Sequence, residues 1–286
     1  MNQNTNHPES APVLVIGATG KTGRHVADHL EKRGRSVRRA GRSSATRFDW
    51  SERSTWAPAL AGAGAVYIAY QPDLIVPGAD DDIAELVRLA DAAGVRRLVL
   101  LAGRGEAQAQ EAGRIVHAAR AESTVLSCAW FDQNFSEGGF APEIAEGSLT
   151  LPVGEVGEPF VDTRDIAEVA VAALLDETLQ GGSPHAGQTY ELTGPRLLTF
   201  AEAAAEIGAA RRRTISFNRV GAQEYRDLLS GLGVAEAEID LLSSLFGTLF
   251  DGRNARVSGD VARVLGRPPT DFADFVKSTV GEAVSR

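Results

Sequence analysis

Apolar residues fall along this chain in two rhythms. Short unbroken runs, at residues 13–16, 65–70 and 98–101, read as strands buried on both faces, and the mainly apolar 124–129 reads as a further strand. Between them the apolar positions recur three and four apart. Val26, Ala27 and Leu30 form one such stripe, Ile83, Leu86, Val87 and Ala90 a second, and Ile166, Val169, Ala170, Ala173 and Leu174 a third. These stripes predict amphipathic helices. Trp56 and Leu60, four apart, pack a further helix over 51–60. Strands that alternate with helices specify a parallel sheet covered on both sides. Beyond residue 140 the pattern predicts short strands at 149–153 and 158–162, a helix over 165–176 capped by Thr163, and a strand at 188–192. Thr199 then caps a helix starting at Phe200, and a strand follows at 214–217. Two helices between Ala222 and Phe250 break near 231–233, and the last helix covers 272–284, after Pro268-Pro269. The fold class is α/β, a Rossmann-type doubly wound parallel sheet with a small C-terminal substrate-side subdomain. The predicted divisions are a flexible tail at 1–11, a nucleotide-binding core at 12–155, and remaining sheet elements with a mostly helical subdomain at 156–286.

The turn after the first strand carries Gly17, Gly20 and Gly23 at G-x-x-G-x-x-G spacing. Strand, glycine turn and helix are the context in which such a motif holds a dinucleotide. One glycine permits the sharp turn, another admits the pyrophosphate to backbone N–H groups, and a third packs helix against strand. The helix N-terminus adds its unpaired N–H groups. Gly17, Thr19, Gly20, Lys21, Thr22 and Gly23 are the candidate phosphate cradle. The second strand, 36–39, leads into 40–44, where such folds read the adenosine ribose. No acid stands between Ser36 and Arg47, while Arg38, Arg39, Arg42 and Arg47 do. An acid would accept from a 2′-hydroxyl and repel a 2′-phosphate. NADPH is therefore the expected cofactor, with Arg42 and Ser43 at its 2′-phosphate. Asp49, beside Trp50 at the expected end of the third strand, is the candidate for the adenine amino group or else a turn residue. Tyr70, Gln71 and Gly103 stand at later strand exits, where ligands of open parallel sheets bind.

One absence bears on mechanism. The four tyrosines, Tyr67, Tyr70, Tyr190 and Tyr225, are followed four positions on by Gln71, Leu74, Gly194 and Leu229. The Tyr-x-x-x-Lys pair that protonates a carbonyl in standard short-chain dehydrogenases is missing. His117, on the helix after the fifth strand, is the remaining neutral-pH acid expected near the cleft, or else an ordinary half-exposed helix histidine. Catalysis is then expected to rest on positioning. Arg104, Trp130, Phe131, Asn134 and Phe135 are candidates for the substrate, the aromatics as walls for a flat molecule or as core. Cys128, in an apolar strand, is expected to be packed.

Composition narrows the class. The 286 residues are 43% hydrophobic and carry a formal charge of −9, which disfavours nucleic acid as a partner. A single cysteine excludes an internal disulfide and a cysteine-rich zinc site, and no metal is expected. No apolar run reaches membrane-spanning length, and the first ten residues lack the apolar core of a signal peptide. A cytoplasmic monomer or homodimer acting on a small molecule is the expectation.

The segment Gly17-Ala18-Thr19-Gly20-Lys21-Thr22-Gly23, the absent Tyr-x-x-x-Lys, and Pro159-Phe160-Val161-Asp162 before Asp165-Ile166-Ala167 resemble NmrA-like atypical short-chain reductases. A narrower likeness lies in Phe48-Asp49-Trp50, Val95-Arg96-Arg97-Leu98-Val99-Leu100-Leu101, Trp130-Phe131, Asn134-Phe135-Ser136, Gly194-Pro195, Leu197-Leu198-Thr199 and Gly266-Arg267-Pro268-Pro269. These look like the agroclavine-dehydrogenase group of ergot alkaloid biosynthesis. The resemblance covers residues 13–276. It implies NADPH and reduction of a ketone, quinone-like or iminium group in a small, polycyclic secondary metabolite. The chain departs from the group at Leu126-Ser127-Cys128-Ala129, where the group has Leu-Arg-Pro, so the substrate side differs. A non-catalytic, NADP-binding regulator of the NmrA type and a dinucleotide-using isomerase are the alternatives.

Overall fold

The computed structural model describes residues 11–284. The expected tail, 1–11, lies outside the described residues except for Ala11. In chain order the elements are β1 (Val13–Ile16), α1 (Gly23–Lys32), β2 (Val37–Gly41), β3 (Thr46–Arg47), α2 (Trp56–Leu60), β4 (Ala65–Ile68), α3 (Ala79–Ala92), β5 (Arg97–Gly103), α4 (Ala107–His117) and β6 (Glu122–Cys128). There follow α5 (Phe140–Glu146), β7 (Ser148–Leu151), α6 (Thr163–Leu175), β8 (Gln188–Leu192), α7 (Phe200–Ala210), β9 (Ser216–Arg219), α8 (Ala222–Gly231), α9 (Glu236–Leu249), α10 (Asp260–Leu265) and α11 (Phe272–Val284).

Seven strands form one sheet in the order β3-β2-β1-β4-β5-β6-β8. The β1–β2, β1–β4, β2–β3 and β4–β5 pairs are parallel. The order reverses at β1, the switch point beside which doubly wound sheets bind dinucleotides. β1 and β4 are buried along their whole length, as their unbroken apolar runs require. The α/β class is thus correct. No helix among the described residues is long and apolar enough to cross a membrane.

Two compact units share the chain. The first comprises described residues up to Gly103, Ala107–Ser127 and Thr163–Glu191; the second comprises Arg104–Glu106, Cys128–Asp162 and everything from Leu192 onward. The units interleave, so a division at residue 155 falls inside the second one. Sheet elements return in α6 and β8 after the chain has visited the second unit. The second unit has its own small parallel pair, β7 with β9.

Local differences from the sequence expectation have physical causes. The third strand stops at Arg47, before Phe48-Asp49-Trp50, because Phe48 and Trp50 turn into a ring cluster with Trp56. The helix expected over 51–60 begins as a 3₁₀ turn, Arg53–Thr55, with α-helix only over Trp56–Leu60. Residues 158–162 are held by isolated bridges, Glu158 with Leu198 and Phe131 with Val161, in place of a strand. Thr163 opens α6 as its first residue. The Thr199 cap is present as a full capping box with Glu202.

Candidate functional site

In the first unit β1 enters the glycine turn directly. Gly17 adopts φ +76°, and the Gly20 N–H donates back to the Gly17 carbonyl at 2.9 Å. A Cβ at Gly20 would lie 3.2 Å from that same oxygen, and one at Gly23 would overlap it. The turn is therefore closed around its own backbone, with space only for hydrogen at Gly23 and a tight fit for anything larger at Gly20. Helix α1 begins at Gly23 with no acidic residue in its first turn, which leaves the positive end of its dipole uncompensated. Thr19 is exposed, and Gly20 and Lys21 are half-buried at the surface of the turn. Thr22 departs from expectation. Its side chain is buried and accepts a hydrogen bond from the Tyr67 hydroxyl at 2.9 Å, so it braces the turn from below.

The structure sorts the four arginines that the sequence offered together. Arg38 donates to the carbonyls of Ala59 and Ala61. Arg39 pairs with Asp28 and Glu31 of α1. Arg47 pairs with Glu52. Arg42, exposed just past β2, is the one of the four that makes no hydrogen bond or ion pair with another described residue. Ser43 beside it is exposed. An exposed, uncommitted guanidinium next to a glycine turn fits a phosphate-bearing dinucleotide.

Asp49 is a turn residue. Its Oδ1 accepts from the Ser51 N–H and hydroxyl, and these bonds, with Arg42 and Arg47 nearby, lower its pKa. Trp50 donates from its indole to the Ala69 carbonyl and packs on Tyr70, ring centres 4.6 Å apart. The Tyr70 hydroxyl donates to Asp82. Burial, reinforced by that bond, holds the phenol well above its ordinary pKa, so Tyr70 keeps its proton. Gln71 is exposed just beyond, and Gly103 ends β5.

His117 lies elsewhere, which corrects the expectation that it stands near the cleft. It is the last residue of α4, and its two ring nitrogens sit 2.9 Å from Ser123 Oγ and 3.0 Å from Thr189 Oγ1. Ser123 and Thr189 are second residues of β6 and β8, so the ring sits at the sheet edge where strands begin. The glycine turn is at the opposite edge. Five rises of about 3.3 Å separate the two edges along β6, or about 17 Å. Burial also lowers the His117 pKa.

In the second unit the candidate aromatics divide. Phe135 is 1% exposed and packs edge-on or tilted against Phe140, Phe160, Phe200 and Phe272, at ring separations of 5.2–5.9 Å. It is core, and the expectation of a substrate wall is corrected there. Trp130 and Phe131 are half-buried. Trp130 is surrounded by Phe140, Phe246 and Phe250, with ring separations from 5.4 to 6.3 Å. Asn134 is half-buried in a 3₁₀ turn, its N–H bonded to the Phe131 carbonyl. Arg104 is buried, its Nη1 donating to the Asn254 carbonyl while Asn254 Nδ2 donates to the Arg104 carbonyl. That reciprocal clamp makes Arg104 a fixed internal charge. Cys128 is buried, and burial raises its thiol pKa, so it is packed as expected.

One residue escaped the sequence reading. Glu158 is 3% exposed, and its Oε1 accepts the Trp130 backbone N–H at 3.0 Å. Burial raises its pKa to about 7, against the opposing pull of the Trp130 bond and the Arg104 charge. The available signal was an acid set directly against the apolar run Pro159-Phe160-Val161.

Comparison with known proteins bears on this geometry. No family profile matches the chain. It is 30% identical to the NAD(P)H azoreductase of Xenophilus azovorans, over 93% of this chain and 97% of that one. It is 30% identical to an uncharacterized oxidoreductase of Bacillus subtilis, YesF, over 92% and 93%. It is 28% identical to the agroclavine dehydrogenase of Claviceps fusiformis, over 92% and 96%. The fold matches the crystal structure of Citrobacter sp. triphenylmethane reductase complexed with NADP(H), with a TM-score of 0.74, 19% identity, and coverage of 93% and 99%. The chain belongs to the NmrA-like atypical short-chain dehydrogenase/reductases, a family of NAD(P)H-dependent oxidoreductases.

Proposed function

We propose that this protein is an NADPH-dependent reductase that reduces a C=O or C=N group of a small, flat, polycyclic metabolite without a Tyr-x-x-x-Lys pair. The observation that carries the cofactor choice is Arg42, uncommitted where Arg38, Arg39 and Arg47 are all engaged. Gly17, Gly20 and Gly23 with the start of α1 would hold the pyrophosphate, and Arg42 with Ser43 the 2′-phosphate. When bound, the reduced nicotinamide supplies hydride. The chain's own residues bind and orient: Trp130 and Phe131 offer half-buried ring faces to a flat acceptor. Good orientation alone lowers a barrier by about 7–11 kcal/mol. The azoreductase, triphenylmethane reductase and agroclavine dehydrogenase named above are by their names redox enzymes of small organic molecules, which supports a reductase reading here.

Binding of NADPH and NADH, followed by nicotinamide fluorescence, tests the cofactor assignment. Arg42→Ala is expected to weaken NADPH by about 1.5–3 kcal/mol, the worth of a charge-assisted contact, and to leave NADH unchanged. Equal losses for both would remove Arg42 from this role. Loss of reduced-nicotinamide absorbance with a panel of cyclic iminium ions, quinones and polycyclic ketones tests the reaction. The missing Tyr-x-x-x-Lys favours a second reading, an NADP-binding regulator, which predicts tight NADPH binding with no turnover of any acceptor.

A further inference from the structure

The glycine turn of the first unit is tied to the sheet on two sides. At its start the N–H groups of Gly17 and Ala18 both donate to the Ala40 carbonyl of β2, at 3.1 and 3.2 Å. At its end the Thr22 side chain accepts from the Tyr67 hydroxyl of β4 at 2.9 Å. β2 and β4 flank β1, so each neighbour of the strand that enters the turn supplies one anchor. Between the anchors stand Thr19, Gly20 and Lys21, exposed or half-buried. The two ties differ in kind. The tie to β2 is main chain and needs no particular side chain. The tie to β4 depends on two hydroxyls 45 residues apart in the chain.

Tyr67 belongs to the run Ala65-Val66-Tyr67-Ile68, is fully buried, and stands in register with Val15 of β1. A phenylalanine would fill the same space with the same ring. The tyrosine adds one hydroxyl in a dry place, which costs free energy unless it is hydrogen-bonded. Thr22 is 4% exposed and directly precedes α1, yet its side chain makes no capping bond to that helix. Its oxygen is engaged by β4 instead, where water has no ready access to replace the partner.

We infer that Tyr67 is a positioning residue for the dinucleotide: through Thr22, its hydroxyl fixes the end of the glycine turn and with it the N–H groups offered to the pyrophosphate. The inference rests on the NADPH-binding part of the proposed function. A backbone phosphate site binds well when its groups are already in place, because ordering them on binding subtracts from affinity. The role differs from that of Arg42. Arg42 would read the 2′-phosphate, which NADH lacks, whereas the turn would hold the pyrophosphate that both cofactors carry.

That difference supplies the test. Tyr67→Phe removes one oxygen and keeps the ring. It is expected to weaken NADPH and NADH alike, each about threefold to tenfold, the usual worth of one hydrogen bond, and to leave the preference between them unchanged. Thr22→Val should do the same, while Thr22→Ser, which keeps the hydroxyl, should bind both as the wild type does. Tyr67→Phe combined with Thr22→Val should be no weaker than either single variant, since both remove one shared bond. Retained affinities in Tyr67→Phe with a lowered denaturant midpoint would make the bond merely structural and overturn the inference, as would losses that multiply in the double variant. Should Thr22→Val fail to fold, Tyr67→Phe and Thr22→Ser decide. The cofactor-free protein gives a second readout: amide hydrogen exchange over residues 18–22 is expected to be faster in Tyr67→Phe than in the wild type, and unchanged exchange would sink the proposal. A wild-type protein that binds neither NADPH nor NADH would refute the dinucleotide reading and, with it, the positioning role; faster exchange in Tyr67→Phe would then mark the reading as the point of failure.

Discussion

The two units are built from different side chains. The first closes on a sheet of Val, Leu, Ile and Ala, with Phe48, Trp50, Trp56 and Tyr70 gathered at one end. The second closes on rings: of the eleven phenylalanines all but Phe48 belong to it. Aliphatic strands and helices leave recognition to backbone N–H groups and to charges at strand exits, which is what a phosphate-bearing dinucleotide requires. Rings leave flat faces and a dry interior, in which one carboxyl is held protonated. On the proposed function, side-chain chemistry would divide the labour of the chain, with anion binding assigned to one unit and apolar recognition to the other.

The largest expected effect tests whether the second core depends on its rings. Phe135 is nearly fully buried among four other phenylalanines. Phe135→Ala should cost about 3–5 kcal/mol, read as a lowered denaturant midpoint. A loss below 1 kcal/mol would show that the rings pack loosely and that Phe135 is free to serve a ligand after all.

Next in size is a pH effect on the stability of the second unit. Folded, Glu158 holds its proton up to about pH 7, while an ordinary glutamate loses it near 4.5. Between those values the folded chain binds the extra proton, so stability falls as pH rises through that window and levels off above it. The gap corresponds to about 3 kcal/mol. Urea unfolding at pH 5 and pH 8 should show this fall in the wild-type protein and a smaller one in Glu158→Gln. Identical falls in both would show that Glu158 titrates normally.

The same contrast explains what the sequence made legible. β1, β8, α11 and the Thr199 cap follow from local signals: an unbroken apolar run, a strand between turns, a helical stripe after two prolines, and a threonine three residues before a glutamate. The glycine turn is equally local. The sorting of Arg38, Arg39, Arg42 and Arg47 is not, since Arg38 is engaged by Ala59 of α2 and Arg39 by Asp28 and Glu31 of α1. Phe135 and Trp130 look alike in sequence and differ only through rings distant in the chain. Glu158 was illegible for a related reason, because its bond to Trp130 spans 28 residues. His117 has the right residue type on the right helix, but at the wrong end of it.

Two glycines sharpen the division. A Cβ at Gly23 would overlap the Gly17 carbonyl, and one at Gly194 would overlap the Phe160 carbonyl. Gly23→Ala and Gly194→Ala make the same insertion, one in each unit, and each should cost about 1–3 kcal/mol of stability. Only Gly23→Ala disturbs the phosphate cradle, so it should also weaken NADPH at least about tenfold, or 1.4 kcal/mol. Should Gly194→Ala weaken NADPH as much, the assignment of anion binding to the first unit alone would fail.

The smallest effect separates a structural arginine from a binding one. Arg39 and Arg42 are three residues apart and equally charged. Arg39 is held by Asp28 at 2.5 Å and Glu31 at 2.9 Å, and its side chain is 37% exposed. Ion pairs this open to solvent contribute about 0.2–1 kcal/mol and are screened by salt. Arg39→Ala should therefore lower stability by no more than about 1 kcal/mol at low ionic strength, and by less as salt is raised. Its preference for NADPH over NADH should be unchanged, because its guanidinium is spent on α1. Arg42→Ala should do the reverse, holding stability while erasing the preference, since Arg42 has no hydrogen bond or ion pair to lose among the described residues. The pair is measured by unfolding curves and cofactor titrations on the two variants side by side. If Arg39→Ala abolished the preference and Arg42→Ala kept it, the 2′-phosphate would be read from β2 itself, and the uncommitted guanidinium at its exit would no longer mark the cofactor site.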